Sequence, residues 1–175
     1  MNIIGTPLAL ADFERYVQAL RFGPWQPTHV VIHHCSAPSL AQRPQGFQPE
    51  HMRNLKSYYE GKGWSAGPHL FIDEHHAWLF SPLTARGVHA ISFNATSWGL
   101  EMLGDFDSEE PWSGRGLAVL THTARIAAIL LKKIHRDESA ILFHRDDPRT
   151  TKTCPGTRVN KARFLALVEQ ALHAT

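Results

Sequence analysis

Two cysteines in 175 residues are too few to staple a disulfide framework. Cys35 and Cys154 each lie beside a histidine-bearing stretch, so one metal ligand and one packed thiol is the expectation rather than a pair. No apolar run reaches membrane-spanning length, and no membrane insertion is expected. The first residues, Met1 to Pro7, lack a basic segment followed by a long apolar run, so synthesis in the cytoplasm without a signal peptide is expected. Neither sign of charge dominates: 18 Lys and Arg face 16 Asp and Glu, for a net charge of +2. With no stripe of basic residues interleaved with aromatics, nucleic acid is not expected as a partner. Repeats, low-complexity segments and shifts in composition are also missing, which leaves one domain, and 43% apolar residues suffice for its core. Asp105, Asp107, Glu109 and Glu110 lack the glycine and terminal glutamate of an EF-hand and read as a solvated loop.

What the chain has in quantity is histidine, 12 residues, which suits metal or proton chemistry only if some of them converge. Periodicity supplies the frame. Leu8 to Phe22 has helical spacing and stops at Gly23-Pro24; Thr28 to His34 is a β-branched run fitting a strand buried on both faces. Pro49 opens a helix through about Lys62. His69–Asp73 and Ala77–Phe80 form a hairpin around Glu74-His75-His76, whose histidines are expected to be exposed. Ser97–Leu103 is another strand, Gly116–His135 a long helix, Ala140–Phe143 a short strand and Val159–Leu172 a last helix. This order predicts an α/β single domain, a central mixed β-sheet flanked by helices on both faces. Residues 1–27 read as a helical extension packed on the domain, whose main part spans 28–175.

Two features stand out against that frame. His144 ends a strand and Cys154 follows ten residues later in a loop broken by Pro148 and Pro155-Gly156, with Lys152 between them. An imidazole and a thiolate are good zinc ligands, but two do not make a site, so a third has to come from far away in the chain. Glu101 interrupts an apolar strand whose alternate faces are both apolar, which favours a carboxylate lining a site over one facing solvent.

Five pieces in register over roughly Thr28 to Arg158 resemble the zinc-dependent N-acetylmuramoyl-L-alanine amidases, the family shared by phage endolysins, cell-wall recycling amidases and peptidoglycan recognition proteins. They are His34-Cys35-Ser36-Ala37, Gly67-Pro68-His69-Leu70-Phe71, Val88-His89-Ala90 with Asn94, Ser97 to Glu101, and the loop from His144 through Pro148-Arg149 to Lys152-Thr153-Cys154-Pro155-Gly156. The resemblance implies Zn2+ held by His34, His144 and Cys154, with His33 a packed core histidine on the opposite face of the strand. It implies Glu101 as general base, Lys152 as the cation facing the developing oxyanion, and His89, Asn94 and Trp98 as substrate-binding residues. Members that use a tyrosine after the glycine of the second piece lack the glutamate; here Pro68 stands at that position and Glu101 is present.

The implied activity is hydrolysis of the amide between N-acetylmuramic acid and L-alanine in peptidoglycan, by a bacteriolytic phage or prophage endolysin expected to be a monomer. It would act in the periplasm in that role, or in the cytoplasm as a recycling amidase on anhydro-muropeptides. A non-catalytic peptidoglycan-binding module of the same fold and a cysteine peptidase using Cys154 with His144 are the rivals. Chelator sensitivity and stoichiometric zinc separate the amidase from both.

Overall fold

The computed structural model describes residues 5–174; residues 1–4 of the expected N-terminal extension and Thr175 lie outside it. In chain order the elements are β1 (Thr6–Leu8), α1 (Leu10–Ala19), β2 (His29–His34), α2 (Pro49–Gly61), β3 (Leu70–Ile72), β4 (Ala77–Leu79), β5 (Ser97–Met102), α3 (Gly114–Lys133), β6 (Ile141–Phe143) and α4 (Lys161–His173). Short 3-10 turns at Glu138–Ala140 and His144–Asp146 bracket β6. The six strands form one mixed sheet in the order β1-β4-β3-β5-β2-β6, with β2 parallel to β5 and β6, and β4 antiparallel to β1 and β3. No helix among the described residues is long and apolar enough to cross a membrane.

The predicted alternation of strands and helices is present, with one addition: Thr6–Leu8 joins the sheet edge as β1. A three-residue strand containing Pro7 carries no alternation to read, and its position at the edge is where a proline is tolerated. Local chemistry fixes the helix starts. Pro49 occupies the first turn of α2, where its missing N–H costs nothing, and the Gln48 N–H donates to His51 Nδ1 at 2.9 Å. The Asn160 side chain caps α4 by accepting from the Arg163 N–H at 3.0 Å.

Register decides what each face of the sheet does. Along β2, Val30 and Ile32 pair with Trp98 and Leu100 of β5, all fully buried in the main core beneath α3, with α1 and α4 packed beside α3. Val31 and His33 alternate with them, so they point to the other face and pair with Gly99 and Glu101. That second face is bordered by Tyr59 of α2, which packs edge-on against Phe80 with ring centroids 5.6 Å apart.

Candidate metal centre

His33 rather than His34 is the β2 histidine that meets His144 and Cys154. His33 Nδ1 lies 3.1 Å from His144 Nδ1 and 3.6 Å from Cys154 Sγ, and one donor atom from each residue falls within 4.8 Å of the others. A tetrahedral zinc with bonds of about 2.0 Å to nitrogen and about 2.3 Å to sulfur separates two nitrogens by about 3.3 Å and a nitrogen from a sulfur by about 3.5 Å. Two of the three ligand separations, His33 to His144 and His33 to Cys154, are already close to that spacing. The expected ligand His34 is corrected by strand alternation: its ring turns to the core face, where Nδ1 accepts from the Phe106 N–H at 3.0 Å and the ring stacks on Phe106. His34 still touches the cluster through its backbone, whose N–H donates to Cys154 Sγ at 3.4 Å.

Cys154 is returned to His144 by a loop that folds around Arg145. The Arg145 guanidinium donates to the carbonyls of Gly156 and Val159, both at 2.8 Å, and its N–H donates to the Cys154 carbonyl at 2.8 Å. Gly156 is in a left-handed conformation, φ 109°, against the backbone of Phe106, where a Cβ would lie 2.5 Å from the Phe106 carbonyl carbon. The acidic loop, expected to be merely solvated, clamps the other side. Asp107 accepts from the Thr157 N–H and the Thr153 hydroxyl, each at 2.7 Å, while Glu109 accepts from the N–H groups of Leu40, Ala41 and Asp105.

The electrostatics suit a cation. Burial holds His33 well below its ordinary pKa, helped by His89 and His144, and burial with the Lys152 ammonium lowers that of His144 against the pull of Asp147. Both rings are therefore neutral donors. Burial and then Glu101 push the Cys154 thiol up, against the His34 N–H and Lys152, so the thiol surrenders its proton only when a cation replaces it. Glu101, opposite His33 in register, is pushed up to about 8 by burial, and Lys152 opposes that rise. The Lys152 side chain is itself exposed, yet its charge reaches His33, His144, Glu101 and Cys154 together.

A sequence profile of the N-acetylmuramoyl-L-alanine amidases matches residues 23–157. The chain belongs to this amidase family. Solved structures share its fold at low identity. The N-acetylmuramoyl-L-alanine amidase LysC from Clostridium intestinale URNW is 19% identical, with a TM-score of 0.64 over 95% of this chain and 91% of that one. The endolysin of Thermus scotoductus MAT2119 bacteriophage Ph2119 is 20% identical, with a TM-score of 0.63 over 89% and 96%. A mutant of Drosophila PGRP-LB in complex with tracheal cytotoxin is 22% identical, with a TM-score of 0.63 over 87% and 89%. None of the curated proteins matches the chain in sequence.

Within this amidase fold the three expected substrate residues go elsewhere. Trp98 is fully buried, its indole N–H donating to the Leu83 carbonyl at 2.8 Å, and cannot line a groove. Asn94 turns its side-chain oxygen to the N–H groups of His89 and Ala90, at 2.8 and 2.9 Å, and so shapes its own loop. His89, half-buried, directs its Nδ1 at His33 Nε2, 3.0 Å away. Sequence reasoning missed Asp147 and Ser92. The Asp147 carboxylate accepts from the Ser92 hydroxyl at 2.6 Å and N–H at 2.9 Å, tying the loop before β5 to the loop after His144. An Asp two residues before Arg149 in a turn-rich stretch was the available signal, since Asp commonly accepts from backbone two residues on; here it takes the Arg149 N–H at 2.9 Å.

Proposed function

We propose that the chain is a zinc-dependent N-acetylmuramoyl-L-alanine amidase that cleaves the amide between the lactyl group of N-acetylmuramic acid and L-alanine. The observation that carries this reading is the convergence of His33, His144 and Cys154 on the sheet face that also presents Glu101. Two neutral nitrogens and one thiol form a donor set suited to zinc, and three protein ligands leave the fourth position open, as catalysis requires. When bound there, zinc would polarise the scissile carbonyl and acidify a water.

The chain's own residues supply the proton chemistry. The Glu101 carboxylate takes a proton from the attacking water, then returns it to the departing amide nitrogen, leaving a carboxylate on the lactyl side and a free amine on L-alanine. Burial raises the Glu101 carboxyl above its ordinary range and a cation at the site opposes that rise, which keeps the group within reach of both proton uptake and release near neutral pH. Lys152 faces the oxygen on which negative charge builds. We assign the role of an endolysin acting on polymeric peptidoglycan, a reading supported by the likeness to the Ph2119 endolysin.

Glu101→Gln tests the mechanism. Zinc should remain near one per chain while turnover of peptidoglycan falls by roughly two to four orders of magnitude. Undiminished turnover in that variant would remove Glu101 from the chemistry. Chromatography of products from intact sacculi and from soluble anhydro-muropeptides tests the substrate: faster release from soluble fragments would move the assignment to a recycling amidase.

A further inference from the structure

Behind the metal centre lies a line of imidazoles that the reaction does not use directly, buried at His33 and His69 and half-buried at His89. His33 Nε2 meets His89 Nδ1 at 3.0 Å, and the His89 ring lies edge-on to His69 with centroids 5.8 Å apart. His69 is locked at both nitrogens: Nδ1 accepts from the Gly99 N–H at 3.0 Å, and Nε2 donates to the Ala85 carbonyl at 2.9 Å. Gly99 makes room for the next ring, since a Cβ there would lie 2.4 Å from His89 Cγ. Asn94 holds the His89 backbone from the other side.

The hydrogen bonds along this line have one consistent direction. His89 Nε2 faces the Ser97 carbonyl at 3.4 Å, and a carbonyl only accepts, so the proton of this ring belongs on Nε2. The groups around the ring are His33, His69, His144, Gly99 and that carbonyl, none of them acidic, and a neutral ring with its proton on Nε2 has a bare Nδ1. His33 Nε2 must then be the donor between the two, which leaves His33 Nδ1 without a proton, directed at His144 Nδ1 and Cys154 Sγ.

We infer that His89 is a positioning residue: through its Nδ1 it fixes the His33 tautomer and ring angle that present a bare Nδ1 to the metal. The inference rests on the metal-centre reading above. It replaces contact with substrate as the role of His89, and it gives Gly99 a reason to be glycine. Partners of this kind set ligand orientation, and losing one weakens metal affinity by about 10- to 100-fold.

The test is zinc competition against a chromophoric chelator, with turnover not used as the readout. His89→Leu, which keeps bulk but has no acceptor, should weaken zinc binding by about 10- to 100-fold. His89→Asn, whose side-chain oxygen falls where Nδ1 was, should recover most of that loss. Long-range 1H–15N spectra of the metal-free wild type provide a second measurement that needs no variant to fold, and both His33 and His89 should carry their protons on Nε2. Wild-type affinity in a folded His89→Leu protein, or a proton on His33 Nδ1, would overturn the inference while leaving the metal centre intact. A wild type that binds no zinc, or a His33→Ala variant that binds it as well, would take down the metal-centre reading and this inference together.

Discussion

On the two faces of β2 the same residue type meets opposite surroundings. His33 looks onto a face built of Gly99, Glu101, His89, His144 and Cys154, where both of its ring nitrogens meet polar side chains. His34 looks onto Phe106 and the acidic loop, where its Nδ1 satisfies one backbone N–H and its ring fills space. One step along a strand separates a candidate ligand from a structural residue, because successive side chains point to opposite sides. The site therefore depends on strand parity and on register with β5, and the chemistry of imidazole does not distinguish the two positions.

The sharpest way to break this comparison is to remove each histidine in turn. His33→Ala should abolish stoichiometric zinc, measured by metal analysis after gel filtration, and with it all amidase turnover. His34→Ala should keep zinc near one per chain and pay instead in stability. It leaves the buried Phe106 N–H without its acceptor, at a cost of about 1–3 kcal/mol in denaturant unfolding. The reverse pattern, zinc lost with His34 and kept with His33, would return the ligand role to the residue that the motif pointed to.

Much of the fold was legible because its signals are long and local. The stripe of α3, the breakers around α2 and the β-branched run of β2 all mark elements found within a few residues of their expected bounds. The candidate site was legible as a set of stretches but not as a set of atoms. Val30, Val31 and Ile32 are all apolar, so nothing in β2 itself marks which parity faces the core. Only pairing with β5 shows that His33 lies opposite Glu101, and a parallel register between strands 63 residues or more apart leaves no trace in either. The same hidden parity placed Trp98 among the substrate residues, although its side chain lies in the core. The acidic loop misled in another way: solvated carboxylates and carboxylates that cap backbone N–H groups have the same composition, and they differ only in what folds against them.

A smaller effect should come from the clamp on the His34 side. Asp107→Ala removes the acceptor for the Thr157 N–H and the Thr153 hydroxyl, which hold the loop carrying Cys154. The residue is partly exposed, so the expected loss is on the order of 1 kcal/mol in thermal or denaturant unfolding. Zinc should stay bound in this variant, because all three donor atoms and the Arg145 staple remain. Loss of zinc as complete as in His33→Ala would mean that the two faces of β2 are not separable.

The mildest test reads the His33 face without altering it. Burial raises the Glu101 carboxyl from an ordinary 4.5 to about 8 in the metal-free protein. Since the folded-state value lies above the unfolded one, the folded state holds this proton more tightly. The contribution to stability is then complete below about pH 4.5 and is lost as pH rises through about 8. Following the side-chain carboxyl carbon by 13C NMR should give a midpoint near 8 without metal. Zinc held by His33 would place a cation beside that carboxylate and favour its charged form, so adding one equivalent should move the midpoint down. Glu101→Gln should remove this part of the pH dependence of unfolding while leaving that of His34 and Asp107 in place. A midpoint near 4.5 that ignores zinc would put the carboxylate in bulk water, away from His33, and the face on which the proposed chemistry depends would have lost its base.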